Sequence, residues 1–132
     1  MLIENYFQEI NNLVSACQFV RNFELIADKR SGYGGFIRGN IYFLDNSLLH
    51  LREFVNVKNG IYRGKYAYQY MDAANNLIFR YDNAQHHQKL NLANYPHHKH
   101  QGSEDNIISS DAPMLADILL EIEELFDGEN HN

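Results

Sequence analysis

Between residues 23 and 83 the chain reads as five strand-like runs joined by connections too short to cross a sheet. FELIADKR (23–30) ends at SGYGG, FIRGNIYFL (36–44) at DNS and LLHLREFVNV (48–57) at KNG. YRGKYAYQYMD (62–72) then ends at AANN, and LIFRYDN (77–83) closes the series. The turns are rich in Gly, Asn, Asp and Ser, which adopt turn conformations at little cost. Parallel neighbours need crossovers of roughly a dozen residues or more, so these spacings predict an antiparallel meander.

At both ends the period changes. Ile3, Phe7, Ile10, Val14 and Cys17 recur at three- and four-residue steps and predict a helix over about 2–18. Leu115, Ile118, Leu119, Ile122, Leu125 and Phe126 form a second apolar stripe. Ser110 and Asp111 offer cap oxygens, Pro113 suits a first turn and Gly128 is a stop signal, giving an acidic helix over about 112–127 and a short disordered tail, 128–132. The expected fold class is α+β: a curved antiparallel meander of five to six strands with the N- and C-terminal helices packed on one face. With 132 residues, one domain spanning 1–132 is expected.

Composition narrows the function classes. The one cysteine, Cys17, excludes an intrachain disulfide and fits a reducing cytoplasm. No basic leader with an apolar run opens the chain, and no stretch is long enough to span a membrane. The net charge of −6 is uneven: from Ser103 onward there are nine acidic residues and no Lys or Arg. Residues 1–102 therefore carry all eleven basic residues against eight acidic ones, a mildly basic body that suits RNA.

Two strands place charge where alternation calls for apolar side chains. Glu53 shares a face with Leu49, Leu51, Val55 and Val57, so its carboxylate must be paired, protonated or marginal. Ile78, Arg80 and Asp82 share a face of the fifth run, where Arg80 has Asp82 or Glu53 as partner. Such a cluster is either an ion pair pinning two strands or the wall of a site, with Arg80 holding phosphate and Asp82 or Glu53 orienting a histidine. The fourth run alternates strictly, with Tyr62, Tyr66, Tyr68 and Tyr70 on one face. That row serves as a core face, or else as a stacking platform for bases.

Five of the seven histidines, His86, His87, His97, His98 and His100, fall within fifteen residues of a long polar connection, Ala84–Asn106, that shows no period. Connections of that length are more often functional than not. A metal reading would join His98 and His100, or His86 and His97, with Asp82. No established ligand spacing is present, and Lys99 lies between two of the candidates, so no metal and no cofactor are expected. Acid–base chemistry fits better, because imidazole gives and takes protons near neutrality. Attack by a ribose 2′-hydroxyl on its phosphate needs a base, an acid and cations. His98 and His100 form the expected acid–base pair, with His86, His87 and His97 as further candidates, Arg80 and Lys99 on phosphate, and Tyr81 as an RNA contact. A polar loop whose rings bond only backbone groups is the alternative.

The order REFV (52–55), YAYQYMDAANNLIFRYDNAQHH (66–87) and YPHHKH (95–100), closed by a short helix, resembles the TumE-like family of small toxins. The likeness covers roughly 20–126 and rests on Glu53, Tyr66 and Tyr68, Phe79 to Asn83, the His86–His87 pair and Pro96 to His100. It implies the toxin component of a bacterial or archaeal type II toxin–antitoxin module, acting in the cytoplasm and neutralised by a helix-turn-helix antitoxin. With the histidine chemistry, the expected function is metal-independent RNA cleavage. A non-catalytic toxin that occupies a cellular target, or a metal-dependent enzyme, are the alternatives. Expected partners are the antitoxin and RNA, with a homodimer as an option and no membrane.

Overall fold

The computed structural model describes residues 1–130. Helix α1 (Ile3–Ser15) leads into β1 (Val20–Lys29), β2 (Gly34–Phe43), β3 (Leu48–Asn56), β4 (Tyr62–Met71) and β5 (Leu77–Asp82). A kinked 3₁₀ segment, Gln85–Leu90, precedes β6 (His98–Gln101) and β7 (Ile107–Ser109), and α2 (Leu115–Asn130) follows. The strands form one sheet in sequence order, each pair antiparallel. The α+β meander is as expected, with seven strands rather than five or six. No helix among the described residues is long and apolar enough to cross a membrane.

Both helices cover the same sheet face. Ile3, Tyr6, Ile10 and Val14 of α1 and Leu115, Ile118, Leu119 and Ile122 of α2 are buried against Ile37, Ile41, Leu49, Leu51, Tyr68, Tyr70 and Phe79. Gly35 of β2 permits this approach, because a Cβ there would stand 2.7 Å from the Phe7 ring of α1. The opposite face carries Arg38, His50, Arg52, Phe54 and Lys65, all exposed. Tyr66, Tyr68 and Tyr70 are core residues, which removes the base-stacking alternative for that row.

Two bulges correct the faces read from strict alternation. Phe54 pairs with Lys65 but Val55 pairs with Arg63, so Gly64 is the extra residue of β4. The slip turns Tyr62 outward, 70% exposed, and brings Arg63 to the helix face. Asn83 fills the resulting gap: the Tyr66 amide donates to its Oδ1 (3.0 Å) and its Nδ2 donates to the Gly64 carbonyl (3.1 Å). A second shift, between Tyr70 and Met71, skips Ile78, which packs against the core and not beside Arg80 and Asp82.

The helix ends also differ from expectation. Helix α1 stops at Ser15 and leaves Cys17 beyond it, half-buried. Ser110, Asp111 and Pro113 precede α2, and the cap comes from within: Asp117 Oδ2 accepts from the Met114 amide at 3.0 Å. Helix α2 continues through Gly128 to Asn130, since one glycine costs a helix only about 1 kcal/mol. Of the expected tail, 128–130 are assigned to α2, and 131–132 lie outside the described residues. The largest correction is to the polar connection, which contains β6 and the 3₁₀ segment and runs directly into β7. Strand β6 escapes hydrophobic periodicity because its four residues are His, Lys, His and Gln.

Glu53, 1% exposed, explains how a carboxylate sits in an apolar row. The hydroxyls of Tyr6 on α1 and Tyr68 on β4 both donate to it. Burial, reinforced by the Glu53 carboxylate, pushes both phenols far above their ordinary pKa and keeps them as donors. Arg63 donates to the Tyr68 hydroxyl (2.8 Å) and to the Pro113 (2.7 Å) and Ala112 (2.8 Å) carbonyls just before α2. Tyr6→Phe and Tyr68→Phe should each lower the unfolding free energy by about 1.5–3 kcal/mol, the range for hydrogen bonds to buried charge. Urea unfolding checks this, and a loss under about 0.5 kcal/mol in both would contradict it.

Candidate functional site

Antiparallel pairing decides which of the candidate residues meet. Asp82 pairs with His98, Tyr81 with Lys99 and Arg80 with His100. Alternation along two paired strands puts Arg80, Asp82, His98 and His100 on the open face and sends Tyr81 and Lys99 to the helix face. There the Tyr81 hydroxyl donates to Glu121 of α2 (2.5 Å), Lys99 Nζ pairs with the same carboxylate (2.9 Å), and the ammonium lies 4.8 Å from the Tyr81 ring centroid. Lys99 and Tyr81 are thus separated by the sheet from the histidines they were expected to assist. Glu53 lies on the helix face too, and Arg80 takes Asp82 as its partner, not Glu53.

His97, one residue before β6, also turns away. Its Nδ1 is 2.8 Å from the Tyr66 hydroxyl, and the two rings stack at 5.8 Å. Burial raises the Tyr66 phenol to about 12. His86 is exposed on the 3₁₀ segment, its ring 6.3 Å from that of His87. The chain kinks at His87, and this ring swings over β6, with centroids 5.0 Å from His98 and 5.5 Å from His100. His98 and His100 are themselves 5.0 Å apart. Of the five clustered histidines, His87, His98 and His100 converge on Asp82 and Arg80.

The groups around these rings fix their tautomers. His98 Nδ1 lies 2.8 Å from the Pro96 carbonyl and His100 Nδ1 2.8 Å from the Glu104 carbonyl. A carbonyl only accepts, so each Nδ1 carries a proton and each Nε2 faces the cluster. Asp82 is held by the Ala84 amide on Oδ1 (2.9 Å) and by Arg80 Nε on Oδ2 (3.0 Å). Arg80 reaches His100 Nε2 (3.1 Å) and makes a two-pronged contact with Glu104 (2.6 and 2.7 Å). His98 Nε2 stands 3.0 Å from Asp82 Oδ1, yet the direction is wrong for a hydrogen bond, and this buried nitrogen has no hydrogen-bond partner.

The cluster opens into a cleft of about 990 Å³ along the open face. His87, His100, Arg80 and Asp82 line one end, and His50, Arg52, Lys65 and the Phe36–Phe54 pair line the rest. The two phenyl rings lie 4.7 Å apart. None of these three polar strand residues and two rings stood out in the sequence; the available signal was the i, i+2 spacing that puts Phe54, Arg52 and His50 on the face opposite Glu53.

Three imidazoles are held below their ordinary pKa. Burial leads in each case, aided by His98 and His100 at His87, by Arg63 and His98 at His97, and by Arg52 and Arg38 at His50. The folded chain thus binds these protons less readily than the unfolded chain, whose histidines titrate near about 6.5. Their contribution to stability is complete above that pH and is lost as pH falls through the lower folded values. Thermal unfolding midpoints should drop from pH 7.5 to pH 5, with a shallower drop in a His87→Gln/His97→Gln variant. An unchanged slope in that variant would refute the assignment.

A family model described as Toxin TumE matches residues 10–126. No curated protein and no solved structure matches the chain. The matched span includes all seven strands, the 3₁₀ segment and the whole imidazole cluster. The chain therefore belongs to the TumE toxin family, whose members are the toxin components of toxin–antitoxin systems.

Proposed function

We propose that this toxin belongs to a type II module, acts in the cytoplasm and cleaves RNA in the open-face cleft, with a helix-turn-helix antitoxin as its neutralising partner. The observation that carries this reading is a cluster of three convergent imidazoles at the end of a cleft that pairs cationic side chains with two unburied phenyl rings. Arg52 and Lys65 suit a phosphate backbone, and the Phe36–Phe54 pair suits base stacking, which is worth roughly 1–3 kcal/mol per base. RNA also brings its own nucleophile, the 2′-hydroxyl, so the protein has only to accept its proton, stabilise the phosphoryl charge and protonate the leaving oxygen.

Roles within the cluster follow from exposure. His98 and His100 are each 2% exposed and their rings nearly touch, so no phosphodiester fits between them as an acid–base pair would require. The reacting phosphate sits instead over His87 and Arg80, the less buried members at this end of the cleft. Arg80 meets the phosphoryl oxygens by exchanging its contact with Glu104, whose carboxylate is 59% exposed. His98 and His100 act from beneath, and Asp82 fixes their surroundings.

The test is cleavage of single-stranded RNA and a matched DNA by purified toxin, alongside growth arrest on expression. His87→Ala and Arg80→Ala should each reduce cleavage by about 10²–10⁴-fold and abolish arrest. Phe54→Ala and Arg52→Ala should weaken RNA binding, and Arg52→Ala should also reduce its salt dependence. Growth arrest by a toxin that cuts no cellular RNA, or full activity in both cluster variants, would overturn the proposal and favour inhibition by occupancy.

A further inference from the structure

We propose that His87, His98 and His100, beside the Asp82 carboxylate, form a three-ligand site for a borderline divalent transition ion of the zinc type. One ligand atom from each histidine lies within 4.8 Å of the other two. A tetrahedral zinc with bonds of about 2.0–2.1 Å sets its ligand atoms roughly 3.4 Å apart, so the site must contract by about an ångström. The contraction has an obvious mover. His98 and His100 are fixed on a hydrogen-bonded strand, whereas His87 sits at the kink of the 3₁₀ segment and closes over them.

The surroundings of the rings point the same way. A histidine that ligates through Nε2 characteristically donates its Nδ1 proton to a carbonyl or carboxylate, which fixes the ring and makes the free nitrogen more basic. His98 and His100 each have that arrangement, through Pro96 and Glu104. The second, independent sign is His98 Nε2: buried, without a hydrogen-bond partner, and 3.0 Å from a carboxylate oxygen. Two electron-rich atoms held that close with no proton in line between them call for a cation near both.

Local charge fits as well. Asp82 and Glu104 outweigh Arg80 by one negative charge, while Lys99, which the sequence places between two ligands, lies across the sheet on Glu121. Arg80 Nη2 must leave His100 Nε2 when the ion binds, and its double contact with Glu104 holds the guanidinium on the outer side of the cluster. Three imidazoles, with no thiolate and with the fourth position open, select a borderline ion over magnesium or calcium. Once bound, the ion supplies Lewis-acid stabilisation of a phosphoryl oxygen at the cleft floor. That catalytic use rests on the RNA reading above; ion binding does not.

The test starts from apo toxin, titrated with zinc against a chromophoric chelator, and with cobalt while its visible d–d bands are followed. One equivalent per chain, a tetrahedral cobalt spectrum and a raised thermal midpoint are expected. His87→Ala and His98→Ala should weaken zinc binding by roughly 100-fold or more, whereas His97→Gln should not. Because His98→Ala removes a buried ring, the cobalt spectrum and the zinc-induced midpoint shift of the unaltered chain decide the matter if that variant does not fold. No binding tighter than that of an unstructured histidine peptide, or equal affinity in His87→Ala, would overturn the site. A tightly bound ion without RNA cleavage upholds the site and removes the RNA reading; cleavage with no ion bound does the reverse.

Discussion

The buried carboxylate of Glu53 is the constraint around which the rest of the structure is arranged. A charge in a dry core is tolerated only when its lone pairs are filled, and the partners here come from two separate elements. Tyr6 brings α1, Tyr68 brings β4, and Arg63 extends the chain of contacts to the residues just before α2. Aliphatic packing alone would tolerate helices that slide or rotate on the sheet. A carboxylate that must meet two hydroxyls sets their position, so the network supplies orientation as well as energy.

Fixing both helices on one face leaves the other uncovered by them. The seven strands are then a wall with different chemistry on its two sides, divided by the period of two along each strand. On the helix side lie the tyrosine row, Glu53, Tyr81, Lys99 and His97. On the open side lie Arg80, Asp82, His98 and His100, with His87 folded over them and the Phe36–Phe54 pair further along. Neighbours in sequence are therefore strangers in space: Lys99 touches neither His98 nor His100 through its side chain. Residues as distant as Arg52 and His87 share a cleft.

The same division combines a rigid body with an open surface that carries the histidine cluster. Asp82, Arg80 and the two β6 histidines are positioned by strand pairing, and His87 by a short kinked segment. Four groups are thus fixed and one is set for adjustment. In the proposed function this allows a phosphate, and in the further proposal an ion, to be gripped with little reorganisation of the sheet.

The sequence by itself determined the meander, both helices and the identity of the charged outliers, because turn chemistry and hydrophobic period are local properties. It also showed that a carboxylate at Glu53 needed pairing, protonation or a marginal position, and left Asp82 open between an ion pair with Arg80 and the orienting of a histidine. It left β6 as loop, since a strand of polar residues has no hydrophobic period and its pairing depends on an edge supplied by β5, and it missed β7, whose three residues are too few to show a period. It gave Tyr62 and Ile78 to the wrong faces, because one bulged residue reverses alternation beyond it. Only the tertiary structure decided which three of five histidines meet. That choice turns on strand register and on one kink at His87, and both are set by contacts between residues far apart in the chain.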